Sequence, residues 1–554
     1  MGADKPSNEA LEAKGDAQKS LGQGGGLLRS GGIVSFFTML SRVMGLVRDV
    51  LLARTIGADA FADVFFVAFK IPNLFRRLFA EGAFAQAFVP VLGEYRQRES
   101  PAAVRELVSR VMGTMGFTLL IVTLVVVVFS PWVTALFAPS WFMNQPEKFA
   151  ATATMLRITF PYLLFISLTG VAAGILNSYD RFAVPAFTPL LLNLTLIGAA
   201  LLAAPRFAEP AFALAWGVLI AGAVQFSFQL PFLQRMHMLP MPVVDWQHPG
   251  VRKILRLMVP AIFGVSVSQI NLLLDSVLAT FLPTGSVSWL YYSDRLAELP
   301  LGVFGVAIAT VILPNLSRHY VSQSSQVFSA TLDWALRMVI LLAVPATVAL
   351  VILAEPILLT LFFYGDLMTG RDMEMATLSL RAYAVGVVAF MLIKVLAPGF
   401  FARQDMRTPV RIGIIAMVVN MVLNIVFLVP LHVYWKVGHV GLALATSVAA
   451  FLNAALLFRQ LRKQTIYQHT QGWWLFMARL LVSVSTMGIA VIFMAHFVGA
   501  LDIEVWKMFD AWQRSSRLLS VCFVGALCFA LTLLASGLRF ADVRGPQSAR
   551  TDAH

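Results

Sequence analysis

Residues 33–57 read Ile33-Val-Ser-Phe-Phe-Thr-Met-Leu-Ser-Arg-Val-Met-Gly-Leu-Val-Arg-Asp-Val-Leu-Leu-Ala-Arg-Thr-Ile-Gly57. At about 1.5 Å per residue, a helix over this stretch is long enough to cross a hydrocarbon core of about 30 Å. Yet it carries Arg42, Arg48 and Asp49 among apolar residues. A charge facing lipid costs about 2.5–3.5 kcal/mol on insertion scales, so these side chains must face a protein interior or a water-filled cavity. Arg76 and Arg295 repeat the pattern in other apolar stretches. Together with Arg42 and Arg48 they would cost about 10–14 kcal/mol in lipid. The segment is therefore one wall of a multi-helix bundle, and an arginine-rich cavity implies an anionic ligand.

The rest of the chain agrees. Of 554 residues, 58% are hydrophobic and 13% charged, and the mean hydropathy is +0.78. A soluble protein of this size could not bury that much apolar surface. Apolar stretches of about 20 residues recur and strand-like alternation is absent, which predicts helices and not an outer-membrane barrel. About fourteen spans are expected, near 33–57, 61–93, 105–137, 150–176, 183–204, 211–233, 253–281, 286–318, 327–353, 376–402, 409–431, 438–462, 473–499 and 515–538.

The net charge of +13 is explained by arginines in cytoplasmic loops under the positive-inside rule, and no nucleic-acid partner is expected. Arg96, Arg98, Arg181, Arg235, Arg252, Lys253, Arg318, Arg403, Arg407, Arg411, Arg459, Arg462 and Lys463 fall in loops of one sidedness. That places both termini in the cytoplasm. Residues 1–28 are polar, lack an apolar signal core and read as a disordered cytoplasmic tail. Cys522 and Cys528 share one apolar segment and read as packing residues.

Residues 83–92, Ala-Phe-Ala-Gln-Ala-Phe-Val-Pro-Val-Leu, resemble residues 307–316, Ala-Ile-Ala-Thr-Val-Ile-Leu-Pro-Asn-Leu. The copies lie six helices apart and so run in the same direction, as parallel repeats do. The predicted fold is an all-α integral membrane protein of about 14 transmembrane helices. Two parallel-repeat six-helix lobes surround a central cavity, with two C-terminal helices added. The divisions are 29–235 (helices 1–6), 250–465 (helices 7–12), 470–540 (helices 13–14) and a cytoplasmic tail at 541–554.

The charged groups cluster in helices 1, 2 and 8. Arg42 and Asp49 are seven apart and share a helix face, while Arg48 points elsewhere. Asp63, Lys70 and Arg77 recur every seven residues, with Glu81 four further on. Pro72 is expected to bend helix 2. Ser288, Tyr292, Arg295 and Glu298 follow one another by about a turn, with Gly302 and Gly305 beyond them allowing close helix approach. Structural ion pairing competes with ligand binding here, since a pair at 4 Å gains about 4 kcal/mol at an effective dielectric of 20. Lys70, Arg77, Glu81, Asp49 and Asp63 are assigned mainly to pairing. Arg42, Arg48, Arg76 and Arg295 are assigned to a ligand, because their planar forks match phosphate oxygens two at a time. Asp275, Asn420, Asn424 and Thr446 supply oxygen ligands and one negative charge, which suits a sodium ion or, alternatively, hydrogen bonding between helices. No ATPase or dinucleotide glycine motif is present and no histidines sit at metal-ligand spacing, so no enzyme chemistry and no other cofactor is expected.

At these residues the chain resembles a known family. Residues 41–49, 63–77, 79–90 and 285–295, together with Lys394-Val-Leu-Ala-Pro-Gly-Phe400, are similar to the MurJ lipid II flippases of bacteria, within the multidrug/oligosaccharidyl-lipid/polysaccharide exporter superfamily. The resemblance implies a bacterial inner-membrane transporter of peptidoglycan biosynthesis. Such a protein works as a monomer among membrane lipids, with lipid II as substrate and cell-wall synthesis proteins as further partners. It implies substrate contacts at Arg42, Arg48, Arg76, Arg295, Asp63, Ser288 and Glu298. It implies a sodium site at Asp275, Asn420, Asn424 and Thr446, and a lipid-tail groove at helices 13 and 14. One position departs: the family's sodium site has an aspartate where this chain has Asn424. An ion-coupled exporter of another lipid-linked oligosaccharide or of drugs is the alternative.

Overall fold

The computed structural model describes residues 8–78, 84–305, 316, 325–365 and 367–538. Every described element is helical. In the first half these are α1 (Asn8–Ile56), α2 (Ala60–Phe75), α3 (Ala85–Arg98), α4 (Pro101–Val128), α5 (Ser130–Phe137), α6 (Pro139–Asn144), α7 (Pro146–Thr159), α8 (Tyr162–Ser178), α9 (Ala183–Gly198) and α10 (Pro210–Arg235). The second half holds α11 (Pro249–Ala279), α12 (Ser286–Pro300), α13 (Ser325–Phe362), α14 (Gly370–Phe401), α15 (Arg407–Trp435) and α16 (Gly438–Lys463). The chain then adds α17 (Trp473–Phe497), α18 (Ile503–Met508) and α19 (Ala511–Ala535).

Among the described residues, ten helices are long and apolar enough to cross a membrane. The four expected spans outside this set are 33–57, 61–93, 253–281 and 286–318, and the first two carry the buried Arg48, Asp49 and Asp63. Their charges lower the mean hydropathy, and parts of 61–93 and 286–318 lie outside the described residues. Large apolar side chains on the outer faces are exposed, including Leu481, Ile489 and Phe493 on α17 and Leu519 and Phe523 on α19. That is the pattern of a surface solvated by lipid.

Packing follows the expected halves. In the first half α1 lies on α9, α2 on α7, and α10 on α8 and α9. In the second, α14 lies between α13 and α16, and α15 packs on α16. Helices α17 and α19 pair with each other and dock on α13. The halves meet where α2 contacts α12, in a core holding Phe65, Phe66, Tyr292, Leu296 and Phe362.

One expectation about local structure changes. Helix α1 begins at Asn8, inside the stretch read as a disordered tail. Ala, Leu, Glu and Lys at 10–14 have high helix propensity, and composition alone underweighted it. Pro72 sits inside α2 without ending it, and residues 76–78 continue as a π-helical turn. Helix α12 ends the same way, in a π-helix at Leu301–Gly305. Both cavity helices thus widen at corresponding places, as repeats related in parallel would. The second copy of the sequence repeat lies outside the described residues apart from Leu316, and so do Glu81 and the 541–554 tail.

Candidate functional site

The site is built on Asp49. Its carboxylate is 3% exposed and sits on α1, facing α12. The Oδ1 atom accepts from Arg48 Nε at 2.9 Å, from Arg48 Nη2 at 2.6 Å and from the Tyr291 hydroxyl at 3.0 Å. Its Oδ2 lies 3.7 Å from Arg295 Nε. The expected sharing of a face by Arg42 and Asp49 is not what organises this region. Arg48 is long enough to fold back on its own neighbour.

Arg48 is fully engaged. Besides Asp49 it donates to Asn193 Oδ1 of α9 at 2.9 Å and to Tyr291 at 3.3 Å. Asn193 in turn donates to the Ser41 carbonyl at 2.8 Å. Four of its roughly five N–H donors are consumed, and the residue is 6% exposed. A buried guanidinium in a closed network holds structure and has little to offer a ligand.

Arg295 differs. Its side chain is 34% exposed. It touches Asp49 only at 3.7 Å and Glu298 Oε2 at 3.4 Å, and lies 5.1 Å from the Tyr291 ring. Tyr291 itself is stacked on Phe66 of α2 with centroids 4.0 Å apart. The guanidinium is thus steered by α1, α2 and α12 while part of it stays accessible.

Arg42 reaches the π-turn that follows α12. A Cβ at Gly302 would overlap its guanidinium, so the glycine in the π-turn makes the space the arginine occupies. The pairs Asp49–Arg295 and Arg42–Gly302 show α1 and this region running antiparallel. Arg76 is half-buried, at the π-turn after α2, and donates to Asn73 Oδ1 at 3.2 Å. Lys70 interacts electrostatically with Asp275 and Asp294. Asp294 also interacts with Arg77, Arg295 and Glu298. Among the described residues, six cations (Arg42, Arg48, Lys70, Arg76, Arg77, Arg295) therefore share the region with four carboxylates (Asp49, Asp275, Asp294, Glu298), which leaves positive charge in surplus there.

Asp63 and Ser288 form a second, separate cluster. Asp63 is 1% exposed. It accepts the Gly285 N–H at 2.8 Å, the Ser288 N–H at 3.0 Å and the Ser288 hydroxyl at 2.7 Å. These are first-turn donors of α12, so a carboxylate from one half caps a helix of the other. Lys148 at the start of α7 lies 3.7 Å from Asp63 and donates to Thr284 Oγ1 at 2.8 Å. Nearby, the Tyr292 hydroxyl donates to the Gly57 carbonyl at 2.9 Å, and Arg54 stands 3.9 Å over the Tyr364 ring. Gly57 has a φ of +60°, and a Cβ there would strike the Leu367 carbonyl. One end of the bundle is thereby clasped across both halves.

Three of the four expected sodium ligands, Asp275, Asn424 and Thr446, are in contact. Asn424 donates to Asp275 Oδ1 at 2.6 Å and Thr446 to Asp275 Oδ2 at 3.4 Å. One turn along, Asn420 donates to Asn271 at 2.8 Å. The carbonyl oxygens of Asn420 and Asn424 are buried with no hydrogen-bond donor. Orphaned acceptors beside a carboxylate and a hydroxyl fit a hard monovalent cation. Among the described residues no group of three His, Cys, Asp or Glu side chains is placed to hold a metal ion.

Asn193, Tyr291, Lys148, Thr284 and Asn271 were not anticipated. Tyr291 had a signal, being four residues before Arg295 on one helix. Asn193 and Lys148 had none, because their partners are distant in sequence.

Comparison with known proteins places this arrangement. The family model for the lipid II flippase MurJ matches residues 52–530. A probable lipid II flippase MurJ of Vibrio cholerae is 49% identical over 524 residues, covering 94% of this chain and 98% of its own length. The lipid II flippase MurJ of Burkholderia cenocepacia is 45% identical over 451 residues, covering 81% and 86%. A solved lipid II flippase MurJ in an inward closed conformation superposes with a TM-score of 0.73 at 24% identity, over 90% of this chain and 97% of that one. An inward-facing multidrug resistance MATE family transporter of the MOP superfamily gives 0.64 at 15% identity, over 78% and 98%. These two likenesses speak to the fold alone. On the family match and the identity of its relatives, the chain belongs to the lipid II flippase MurJ family.

Proposed function

We propose that this chain moves lipid II, the prenyl-pyrophosphate-linked precursor of peptidoglycan, from the inner to the outer leaflet of the bacterial cytoplasmic membrane. The supporting observation is Arg295, a guanidinium partly exposed yet steered by Asp49 and Tyr291. Arg42, Arg76 and Arg295 hold the diphosphate oxygens, where fork-shaped donors bind in pairs. Arg48 is a positioning residue: it fixes Asp49, and Asp49 aims Arg295. Glu298 limits where the Arg295 fork can swing.

The lobes, 29–235 and 250–465, rock about this site to give alternating access. The Asp63–Ser288 clasp closes the outer end, with both termini in the cytoplasm. The lipid tail stays in the bilayer along α17 and α19. Each unit charge carried across 100 mV is worth about 2.3 kcal/mol, so the membrane potential can reset an empty cationic cavity. Sodium at Asp275, Asn420, Asn424 and Thr446 supplies a further coupling. Its test is a sodium-dependent rise in melting temperature that disappears in Asp275→Asn.

Transport is tested in vesicles reconstituted with labelled lipid II. Arg295→Ala and Arg42→Ala each lower the flipping rate about tenfold or more, the loss expected for one charged hydrogen-bonding group worth about 1.5–3 kcal/mol. Wild-type flipping by both folded variants refutes the assignment.

A further inference from the structure

We propose that a groove on the far flank of α13 is a binding site for an anionic glycerophospholipid. One acyl chain lies between the helices, and the phosphate rests on Arg462 and His469. The groove has a volume of about 450 Å³, within the range of about 300–1,000 Å³ usual for small-molecule sites. Phe451, Ala455, Phe458 and Arg462 form one wall, following a single face of α16 at helical spacing. Leu336 of α13 and Leu396 of α14 stand opposite. No residue of α19 contributes, so the groove is distinct from the face where α17 and α19 pair.

The lining is apolar except at one end. There Arg462 and His469 are exposed, and among the described residues no hydrogen bond or ion pair engages either side chain. Arg459 and Lys463 add exposed charge beside them. A carboxylate close by, Asp333, is already committed. Asp333 accepts from Tyr467 at 2.6 Å, Thr470 Oγ1 at 2.6 Å, Trp473 Nε1 at 2.7 Å and Arg337 Nε at 3.0 Å. That network pins the 464–472 connection to α13, so the floor of the groove is preformed. The unpaired charge of Arg462, with Arg459 and Lys463 beside it and the His469 ring as a further donor, at the mouth of an apolar slot between membrane helices matches a lipid phosphate with its chain. A peptide fits poorly, because its backbone amides would have no partners at that depth.

The test uses the full-length protein, delipidated in detergent and titrated by native mass spectrometry. The ligands are a dioleoyl phosphatidylglycerol, a phosphatidylcholine with the same chains, and glycerol phosphate. Phosphatidylglycerol binds the wild type about tenfold more tightly than phosphatidylcholine, and glycerol phosphate does not bind. Arg462→Gln combined with His469→Gln brings the two lipids level. Ala455→Phe, which fills the slot, weakens both. Arg462→Lys keeps the preference, and all variants melt like the wild type without lipid, which separates lost binding from misfolding. Equal binding of the two lipids by the wild type overturns the proposal, as does an unchanged preference in the double variant. Tight binding of glycerol phosphate alone assigns the cations to soluble anions instead. Displacement of phosphatidylglycerol by an equimolar polyprenyl phosphate assigns the groove to the substrate tail. Either result also overturns it.

Discussion

Asp63→Asn is the substitution whose effect the geometry defines most tightly. The amide keeps the shape of the carboxylate. Its oxygen can still accept from the Ser288 N–H and hydroxyl. Its NH₂ then replaces Oδ2, which faces the Gly285 N–H at 2.8 Å and Lys148 at 3.7 Å. One charge-assisted hydrogen bond becomes a donor facing a donor, a loss of about 1.5–3 kcal/mol. The two remaining bonds fall to neutral strength, roughly half. The attraction to Lys148, about 4 kcal/mol gross at an effective dielectric of 20, also vanishes. Against this, a buried charge no longer needs desolvating. The net weakening of the clasp is about 2–4 kcal/mol, and 3 kcal/mol shifts a closed-to-open ratio about a hundredfold. Nitroxides at Glu147→Cys and Arg371→Cys, both exposed and on opposite lobes at the clasped end, report the separation by double electron–electron resonance in a Cys522→Ser, Cys528→Ser background. The variant gains a longer-distance population. An unchanged distance distribution, with the melting temperature also unchanged, refutes the clasp.

Other perturbations probe the remaining parts. Gly302→Ala places a methyl group where the Arg42 guanidinium lies, so flipping falls about tenfold or more while the melting temperature stays close to wild type. Arg48→Ala leaves Asp49 buried without its main partner; breaking such a pair costs about 3–5 kcal/mol, so a lowered melting temperature accompanies the loss of transport, unlike Arg295→Ala. Asp245, in the α10–α11 connection, accepts from the backbone N–H of Gln247 at 2.8 Å and of His248 at 3.1 Å and pairs with Arg110. The Gln247 N–H above all, with His248 and Arg110, holds its carboxyl below the usual carboxylate range. Its contribution is complete above about pH 4 and is lost as pH falls through the lowered value. Protection factors of the amides within 241–248, corrected for the intrinsic pH dependence of exchange, therefore fall only in acid, and a fall between pH 5 and 7 contradicts this.

Much of the fold was legible because membrane spans are long and their apolar content is unmistakable. The same signal is weaker in 33–57, 61–93, 253–281 and 286–318, where Arg42, Asp63, Lys70, Asp275 and Arg295 dilute it. Those diluting charges themselves marked the site. Spacing could not say where a polar side chain ends up. Asp63 stands in a stripe with Lys70 and Arg77, yet it caps α12 and is buried, while Lys70 and Arg77 are exposed. Arg48 read as a ligand-binding fork, but Asn193, 145 residues away, and Tyr291, 243 residues away, close its network. Asp275, Asn424 and Thr446 touch, in contacts that span 149 and 171 residues, while Asn420 bonds Asn271 instead. Helical spacing links Asn420 to Asn424 only; joining α11, α15 and α16 needed the family resemblance.

The most direct test is an experimental map of the full chain with lipid II bound. The diphosphate oxygens should lie about 3 Å from guanidinium nitrogens of at least two among Arg42, Arg76 and Arg295, with Arg48 still joined to Asp49. A diphosphate touched by none of these three, or held outside the space between the lobes, contradicts the account.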